Sequence, residues 1–452
     1  MTTPTETPDV QDLDSPRSSG GWRDLLRGSA GIAVAMAVTN IGTYGFQMVA
    51  ARVLGPADYG AIASMMALLM VVAVVQLGLQ ATAARRVSAE PEHVEQIEDV
   101  VWRVTVRASL ALGLLMLVLS PLVWKLLVLD SIVPALLMAV AAVPLTLMGG
   151  QAGILQGERR WGPLAAVYLA VGVPRLVFGT AAIYVRPSET SAMVGVLLGL
   201  LVPVAIGWWV LRQGRAHAPA VDLSPEHRAR PIVRETLAAS MALLAFLSLS
   251  NVDIVVARHV LDSHDAGLYA GGLILTKAVL FLPQFVVVVA FPAMSTVAER
   301  RRALLRSVAL VGAIGVVCTL GAWILSRLAL VFVGGAEYVD VQGRLWLFAI
   351  LGTLLAIAQL VVYSVLARQG TRSGYLVWVG AAVLVAAGLA ASSLTGLALT
   401  VIAVDAVLVG AILALSLARI RADEADALEP TPPAAPPATD TTDTAGTTGS
   451  PA

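Results

Sequence analysis

The sequence predicts an all-α polytopic membrane protein with about twelve transmembrane helices. Hydrophobic residues make up 58% of the 452 residues, charged residues only 13%, and the mean hydropathy is +0.81. This composition excludes an ordinary soluble globular protein. Apolar stretches of membrane-spanning length recur along the whole chain, with polar turns between them. Two of these turns are echoed in the second part of the sequence, which predicts two similar halves.

The predicted spans form two sets of six. The first set covers 30–51, 59–84, 107–129, 132–155, 162–184 and 191–211. The second set covers 236–257, 268–292, 307–333, 345–367, 374–393 and 396–417. Polar, Pro-rich composition outside the spans predicts disordered tails. The predicted organisation is a cytoplasmic tail (1–27), a first six-helix unit (28–211), a cytoplasmic linker (212–235), a second unit (236–420) and a second cytoplasmic tail (421–452).

The turn between the first two spans is the clearest local signal. Gly55-Pro56 cannot continue a helix, and Asp58 is placed to cap a helix that begins at Tyr59. A related turn follows the seventh span, where Ala257-Arg258 matches Ala51-Arg52. A second pair of related turns is Gln156-Gly157 and Gln369-Gly370.

Basic residues are concentrated in alternate segments between the spans. The two tails and every second loop carry 22 of the 30 Lys and Arg, and the opposite loops carry six. The positive-inside rule therefore predicts that both termini are cytoplasmic and that the chain crosses the cytoplasmic membrane many times.

Charges within the membrane cost about 2.5–3.5 kcal/mol each on insertion scales, and the ones singled out within the predicted spans are Arg175, Asp253, Lys277 and Asp405. Two interpretations stay open for them. They neutralise each other in ion pairs, Lys277 with Asp253 or Arg175 with Asp405, or they surround a hydrated cavity with a cationic centre. We predict the cavity for Arg175 and Lys277, which lie well inside the fifth and eighth spans.

Uncharged polar residues also share helix faces within the spans. Helical spacing places Asn40, Thr43, Tyr44 and Gln47 on one face of the first span. Lys277 shares a face with Gln284, and Gln359 shares one with Tyr363. Hydrogen bonds between helices would explain each pair alone, but a shared aqueous path explains all of them together.

Several motifs are missing. The sequence has no phosphate-binding loop, and its five histidines show no metal-ligand spacing, so we predict neither a cofactor nor a metal site. Its single cysteine, Cys318, excludes an internal disulfide framework. The loops opposite the basic side are too short for the catalytic region of a membrane glycosyltransferase. A transporter, and not an enzyme, remains.

Four short motifs resemble the polysaccharide (O-antigen-type) flippase family of the multidrug/oligosaccharidyl-lipid/polysaccharide exporter (MOP) superfamily. They are the turn Arg52–Gly60, its counterpart Arg258 with Gly267-Leu268-Tyr269-Ala270, the turn Leu155-Gln156-Gly157, and Phe291-Pro292-Ala293-Met294-Ser295. The resemblance covers about residues 28–420. It implies two six-helix lobes with pseudo-twofold symmetry around a central cavity. It also implies that a polyprenyl-diphosphate-linked oligosaccharide is flipped from the inner to the outer leaflet for cell-surface polysaccharide biosynthesis, by alternating access.

The resemblance also implies roles for single residues. Arg175 and Lys277, with Arg52 and Arg258 at the outer rim, are expected to hold the diphosphate. Whether a proton or a sodium ion moves with the substrate stays open in the sequence, and Asp253 and Asp405 are the candidates to carry it. The expected partners are the lipid-linked oligosaccharide, membrane lipids, a polysaccharide polymerase and glycosyltransferases, and no nucleic acid. A multidrug or small-molecule exporter of the same superfamily, or a non-transporting scaffold for cell-envelope synthesis, stays as an alternative.

Overall fold

The computed structural model describes residues 29–89, 94–213, 229–281, 300–366 and 372–426. Within these ranges the regular structure is entirely helical. Twelve α-helices and one 3-10 helix follow each other in the order α1 (Ser29–Ala89), α2 (Val94–Leu126), α3 (Val133–Gly157), α4 (Trp161–Val185), α5 (Glu189–Arg212), α6 (Ala229–Val260), α7 (Ser263–Phe281), α8 (Arg300–Ile324), α9 (Ser326–Val333), the 3-10 helix (Ala336–Arg344), α10 (Leu345–Leu366), α11 (Arg372–Gly388) and α12 (Leu394–Asp426).

These helices contain at least part of all twelve predicted spans. In the described ranges, nine segments are long and apolar enough to cross a membrane. One of them is α1, which holds the first two spans, and the shorter helices α7 and α11 lie in the eighth and eleventh spans. The ninth span was predicted as one helix, but it breaks at Leu325 (φ −101°, ψ 37°) into α8 and α9. No glycine or proline stands at this break, so the apolar run did not reveal it.

Helix α1 bends at Gly55 into arm 1 (29–54) and arm 2 (56–89). Gly55 has φ 73° and ψ 174°, a backbone conformation that is essentially restricted to glycine. Pro56 then occupies the first helical position, where its missing N–H is not needed. The predicted break is confirmed. Arm 2 nevertheless begins before Tyr59, so Asp58 lies in its first turn and is not its cap.

Helices α1, α3 and α4 are held together by close contacts between their backbones. Arm 1 packs against α4, where a Cβ on Gly42 would lie 2.7 Å from the carbonyl carbon of Gly172. Arm 2 packs against α3, where a Cβ on Gly149 would lie 2.4 Å from the carbonyl oxygen of Gln76. Only glycine permits such an approach, which is typical of helices packed within a membrane.

The first lobe contains α1 to α5, and the second lobe contains α6 to α12. The two lobes meet mainly along arm 2, which packs against α6 and α7. One end of the bundle carries Arg85, Arg86, Arg159 and Arg160, and we name it the basic end. The other end carries the Gly55 bend, and we name it the opposite end. At the opposite end Gly267 lies so close to arm 2 that a Cβ on it would be 1.8 Å from the carbonyl oxygen of Pro56.

Candidate functional site

A cavity of about 160 Å³ lies between the two lobes. Arm 1, arm 2 and the five helices α3 to α7 all contribute to its walls. Most of the lining is apolar, and its polar side chains are Thr43, Tyr44, Gln47, Tyr59, Arg175, Asn251 and Lys277. Drug-sized ligands occupy pockets of about 300–1,000 Å³. In this conformation the cavity therefore has room for a small polar group and not for an oligosaccharide.

Arg175 reaches this cavity from α4, one residue after Pro174. Its Nε is buried and has no hydrogen-bond partner within the described part of the chain. Helix α5 packs directly behind it, because a Cβ on Gly199 would lie 2.8 Å from the Cα of Arg175. A guanidinium donates hydrogen bonds and cannot accept them. A buried guanidinium with an unpaired donor at the wall of a cavity favours an anionic or carbonyl oxygen as its partner.

Lys277 lines the same cavity from α7. Its Nζ donates a hydrogen bond to the carbonyl oxygen of Ser250 at 2.6 Å. Asp253 is buried nearby and accepts hydrogen bonds from Tyr269 Oη at 3.0 Å and from the N–H of Ile254 at 2.9 Å. The structure thus does not form the Lys277–Asp253 ion pair considered as an alternative, although the two side chains lie within electrostatic range.

Asp405 completes a buried charged cluster with Asp253 and Lys277. It is only 2% exposed, and its Oδ1 has no hydrogen-bond partner among the described residues. Its electrostatic neighbours are Asp253 and Lys277 rather than Arg175, so the alternative Arg175–Asp405 pair is not formed either. Two carboxylates and one ammonium carry a formal charge of −1 when all are ionised. One proton or one monovalent cation would neutralise the cluster.

No group of three or more His, Cys, Asp or Glu side chains in the described ranges is arranged to hold a metal ion.

Arg52 and Arg258 do not line the cavity. Both lie at the opposite end, and each donates hydrogen bonds to backbone carbonyls of the other lobe. Arg52 Nη2 donates to Val331 O at 3.0 Å, and Arg258 Nε donates to Leu127 O at 3.1 Å. Their predicted role as diphosphate ligands at the rim stays a prediction.

The polar face of arm 1 is only partly turned to the cavity. Thr43, Tyr44 and Gln47 line it, whereas Asn40 is half-buried outside the lining. Gln359 is buried in α10, also away from the lining. Gln284 and the side chain of Tyr363 lie outside the described part of the chain.

Two polar lining residues, Asn251 and Tyr59, were not among the candidates from the sequence. Asn251 donates to Leu247 O at 2.8 Å and to Ser250 Oγ at 3.0 Å. An asparagine in the apolar seventh span, two residues before Asp253, was a usable signal. Tyr59 donates a hydrogen bond from Oη to Gln47 Oε1 at 3.5 Å. It was not predicted as a lining residue, because its sequence position indicated a turn.

The family model for polysaccharide biosynthesis proteins matches residues 25–298. The chain belongs to the polysaccharide biosynthesis protein family. The matched region contains the first lobe, the linker and the start of the second lobe, including every polar residue of the cavity. The family resemblance of the sequence is thereby confirmed. No curated protein matches the chain significantly.

Solved structures with the same fold are transporters. An inward-facing multidrug resistance MATE family transporter of the MOP superfamily has a TM-score of 0.68 and 15% identity, covering 86% of this chain and 96% of that chain. An outward-facing one has a TM-score of 0.60 and 16% identity, covering 89% and 98%. A MOP superfamily transporter from Pyrococcus furiosus has a TM-score of 0.62 and 15% identity, covering 88% and 96%. This member of the polysaccharide biosynthesis protein family is thus a multi-pass membrane protein with the fold of these transporters, two lobes around a central cavity.

Proposed function

We propose that this transporter flips a polyprenyl-diphosphate-linked oligosaccharide from the inner to the outer leaflet of the cytoplasmic membrane, by alternating access. The observation that supports this most is the cavity between the lobes, where Arg175 and Lys277 place two cations and Arg175 keeps a buried donor unpaired. A diphosphate supplies the charge and the acceptor oxygens that such a site needs. Family membership supplies the connection to cell-surface polysaccharides.

The membrane potential favours the proposed direction. A diphosphate carries about two negative charges, so an inside-negative potential of about 100 mV drives it outward with a gain of roughly 4–5 kcal/mol. The cavity holds only a small group in this conformation. The sugars and the lipid therefore have to occupy space that forms when the lobes separate.

The buried cluster of Asp253, Asp405 and Lys277 is the proposed place for a coupled ion. Lys277 lines the substrate cavity and lies within electrostatic range of both carboxylates. A diphosphate that attracts this ammonium would leave the two carboxylates with less compensation, and they would then bind a proton or a monovalent cation more strongly.

The experiment is flipping of a fluorescent lipid-linked oligosaccharide in proteoliposomes. Arg175→Ala should slow flipping by about tenfold or more, because a charge-assisted hydrogen bond is worth roughly 1.5–3 kcal/mol. Arg175→Lys should keep part of the activity, since a point charge still attracts phosphate. The matched control is Arg186→Ala just beyond the same helix, at an exposed position, and it should flip normally.

Two results would contradict the proposal. One is full activity in both Arg175→Ala and Lys277→Ala. The other is recovery of flipping in the double variant Lys277→Ala/Asp253→Ala after each single change has abolished it, because the lysine would then serve only to balance a buried charge.

Export of small molecules is the second candidate, and the structural similarity to multidrug resistance transporters favours it. The cationic side chains of the cavity argue against cationic drugs as substrates, since like charges repel at short range. Transport of a cationic dye by the wild-type protein, without flipping of any lipid-linked oligosaccharide, would favour this second function.

A further inference from the structure

Arg52 and Arg258 occupy equivalent positions in the two lobes. Arg52 follows Ala51 near the end of arm 1, the first helix of the first lobe, and Arg258 follows Ala257 near the end of α6, the first helix of the second lobe. Each side chain crosses to the other lobe. Arg52 reaches α9, and Arg258 reaches the turn after α2.

The acceptors of these two arginines are equivalent as well. Val331 O lies in the last turn of α9, and Leu127 O and Val128 O directly follow the end of α2. Helices α2 and α9 lie in the third span of each lobe. Carbonyls at the end of a helix lack intrahelical partners and carry partial negative charge, so a guanidinium is a favourable donor to them. The same kind of contact thus occurs in both directions between the lobes.

From this reciprocity we propose that Arg52 and Arg258 form a clasp that holds the opposite end of the transporter closed. Tyr338 Oη adds a hydrogen bond to Ala51 O at 3.3 Å, and Gly267 packs directly on Pro56. The lobes leave no room between them here. Both arginine contacts must break before this end can open.

The clasp gives the two arginines a role other than binding the diphosphate at the rim. It depends on the two-lobe architecture and on movement between the lobes, and it makes no assumption about what is transported. A measurement without substrate therefore tests it independently of the proposed flipping activity.

Opening can be measured by pulsed electron paramagnetic resonance on protein in lipid nanodiscs. Nitroxide labels on Lys125→Cys and Arg344→Cys, in a Cys318→Ser background, report the distance between the lobes at the opposite end. The double variant Arg52→Ala/Arg258→Ala should raise the ratio of long to short distances by about tenfold. The control Arg186→Ala/Arg327→Ala removes two exposed arginines from the same end and should leave the ratio unchanged.

Gly267→Val provides the reference for an opened end. Its Cβ would lie 1.8 Å from the carbonyl oxygen of Pro56, so the lobes must separate even with both arginines present. Gly267→Val should therefore populate the long distance. The clasp is refuted if Gly267→Val gives the long distance and the double arginine variant keeps the wild-type distribution. It is refuted as well if the control pair shifts the ratio as much as the clasp pair does.

Discussion

Gly55 separates arm 1 from arm 2 with a backbone conformation that other residues rarely adopt. Its φ of 73° and ψ of 174° would place any side chain under strain, and such strain costs about 1–3 kcal/mol. A Cβ at this position would also lie 2.7 Å from Oε2 of Glu337. The first helical hairpin therefore depends on this glycine.

Gly55→Ala should lower the free energy of unfolding by about 1–3 kcal/mol, measured by thermal unfolding in detergent. Gly55→Asn should not recover the loss, because asparagine tolerates the left-handed helical region and not this more extended one. Gly321→Ala in α8 is the control, since a Cβ there meets nothing within 4 Å. Equal stability of Gly55→Ala and Gly321→Ala would contradict the strain argument.

Glu235 joins the two lobes at the basic end. Its carboxylate accepts hydrogen bonds from Arg85 at 2.6 Å and Arg86 at 2.8 Å. The hydrogen bond from Arg86 is the main cause of a Glu235 pKa below its ordinary value of 4.5. A lowered folded-state pKa means that this contact stabilises the protein fully above the ordinary pKa and is lost as the pH falls through the lowered value.

The variant Glu235→Gln should therefore melt at a lower temperature than the wild type at pH 7. The difference in melting temperature should shrink as the pH falls through the lowered pKa of Glu235, because the wild-type carboxylate is then protonated too. The control Glu95→Gln changes an exposed glutamate in the first turn of α2 and should lower the melting temperature at pH 7 by less than Glu235→Gln does. A Glu235→Gln difference that stays constant from pH 7 down to the acid unfolding of the protein would contradict the assignment.

At the scale of an element, arm 1 presents different faces to the cavity and to the surroundings. Thr43, Tyr44 and Gln47 line the cavity, whereas Ile41 is 70% exposed. Exposed apolar side chains on a membrane helix face lipid. The same helix thus has a cavity-facing side and a lipid-facing side.

Single cysteines can test this arrangement in a Cys318→Ser background with a membrane-impermeant maleimide. Thr43→Cys and Gln47→Cys should react, because they reach the aqueous cavity. Ile41→Cys and Val49→Cys should not react, and Asn40→Cys should react more slowly than Thr43→Cys. Equal labelling on all faces would mean that arm 1 has no cavity side.

At the scale of the whole molecule, each end of the bundle has its own link between the lobes. The basic end has the ion pairs of Glu235 with Arg85 and Arg86, and the opposite end has the hydrogen bonds of Arg52 and Arg258. The links differ in chemistry, because one is between charged side chains and the other is between arginines and helix-end carbonyls. A fall in pH through the lowered pKa of Glu235 should therefore weaken the link at the basic end.

The orientation of the bundle follows from its basic residues and predicts that both termini are cytoplasmic. Alkaline phosphatase, which is active only outside the cytoplasm, should be inactive when fused after Asp426 at the end of α12. The same reporter fused after Leu126, at the opposite end, should be active. Activity after Asp426 would reverse the predicted orientation.

Much of the fold was predictable because a bilayer imposes length and polarity on each helix separately. The twelve spans and the break at Gly55 are local properties of composition. The family was also recognisable from short turns such as Arg52–Gly60. The division of the ninth span at Leu325 was not predictable, because no helix-breaking residue marks it.

The sequence by itself determined which residues are unusual for their surroundings: Arg175, Lys277, Asp253 and Asp405 are charges inside apolar helices. Only the tertiary structure decided which of them meet. Arg175 and Lys277 line one cavity. Asp253 and Asp405 lie near Lys277. Arg52 and Arg258 donate hydrogen bonds to carbonyls of the other lobe. These contacts are between residues that are far apart in the chain. They depend on the rotation and packing of whole helices, which the period of a single helix does not specify.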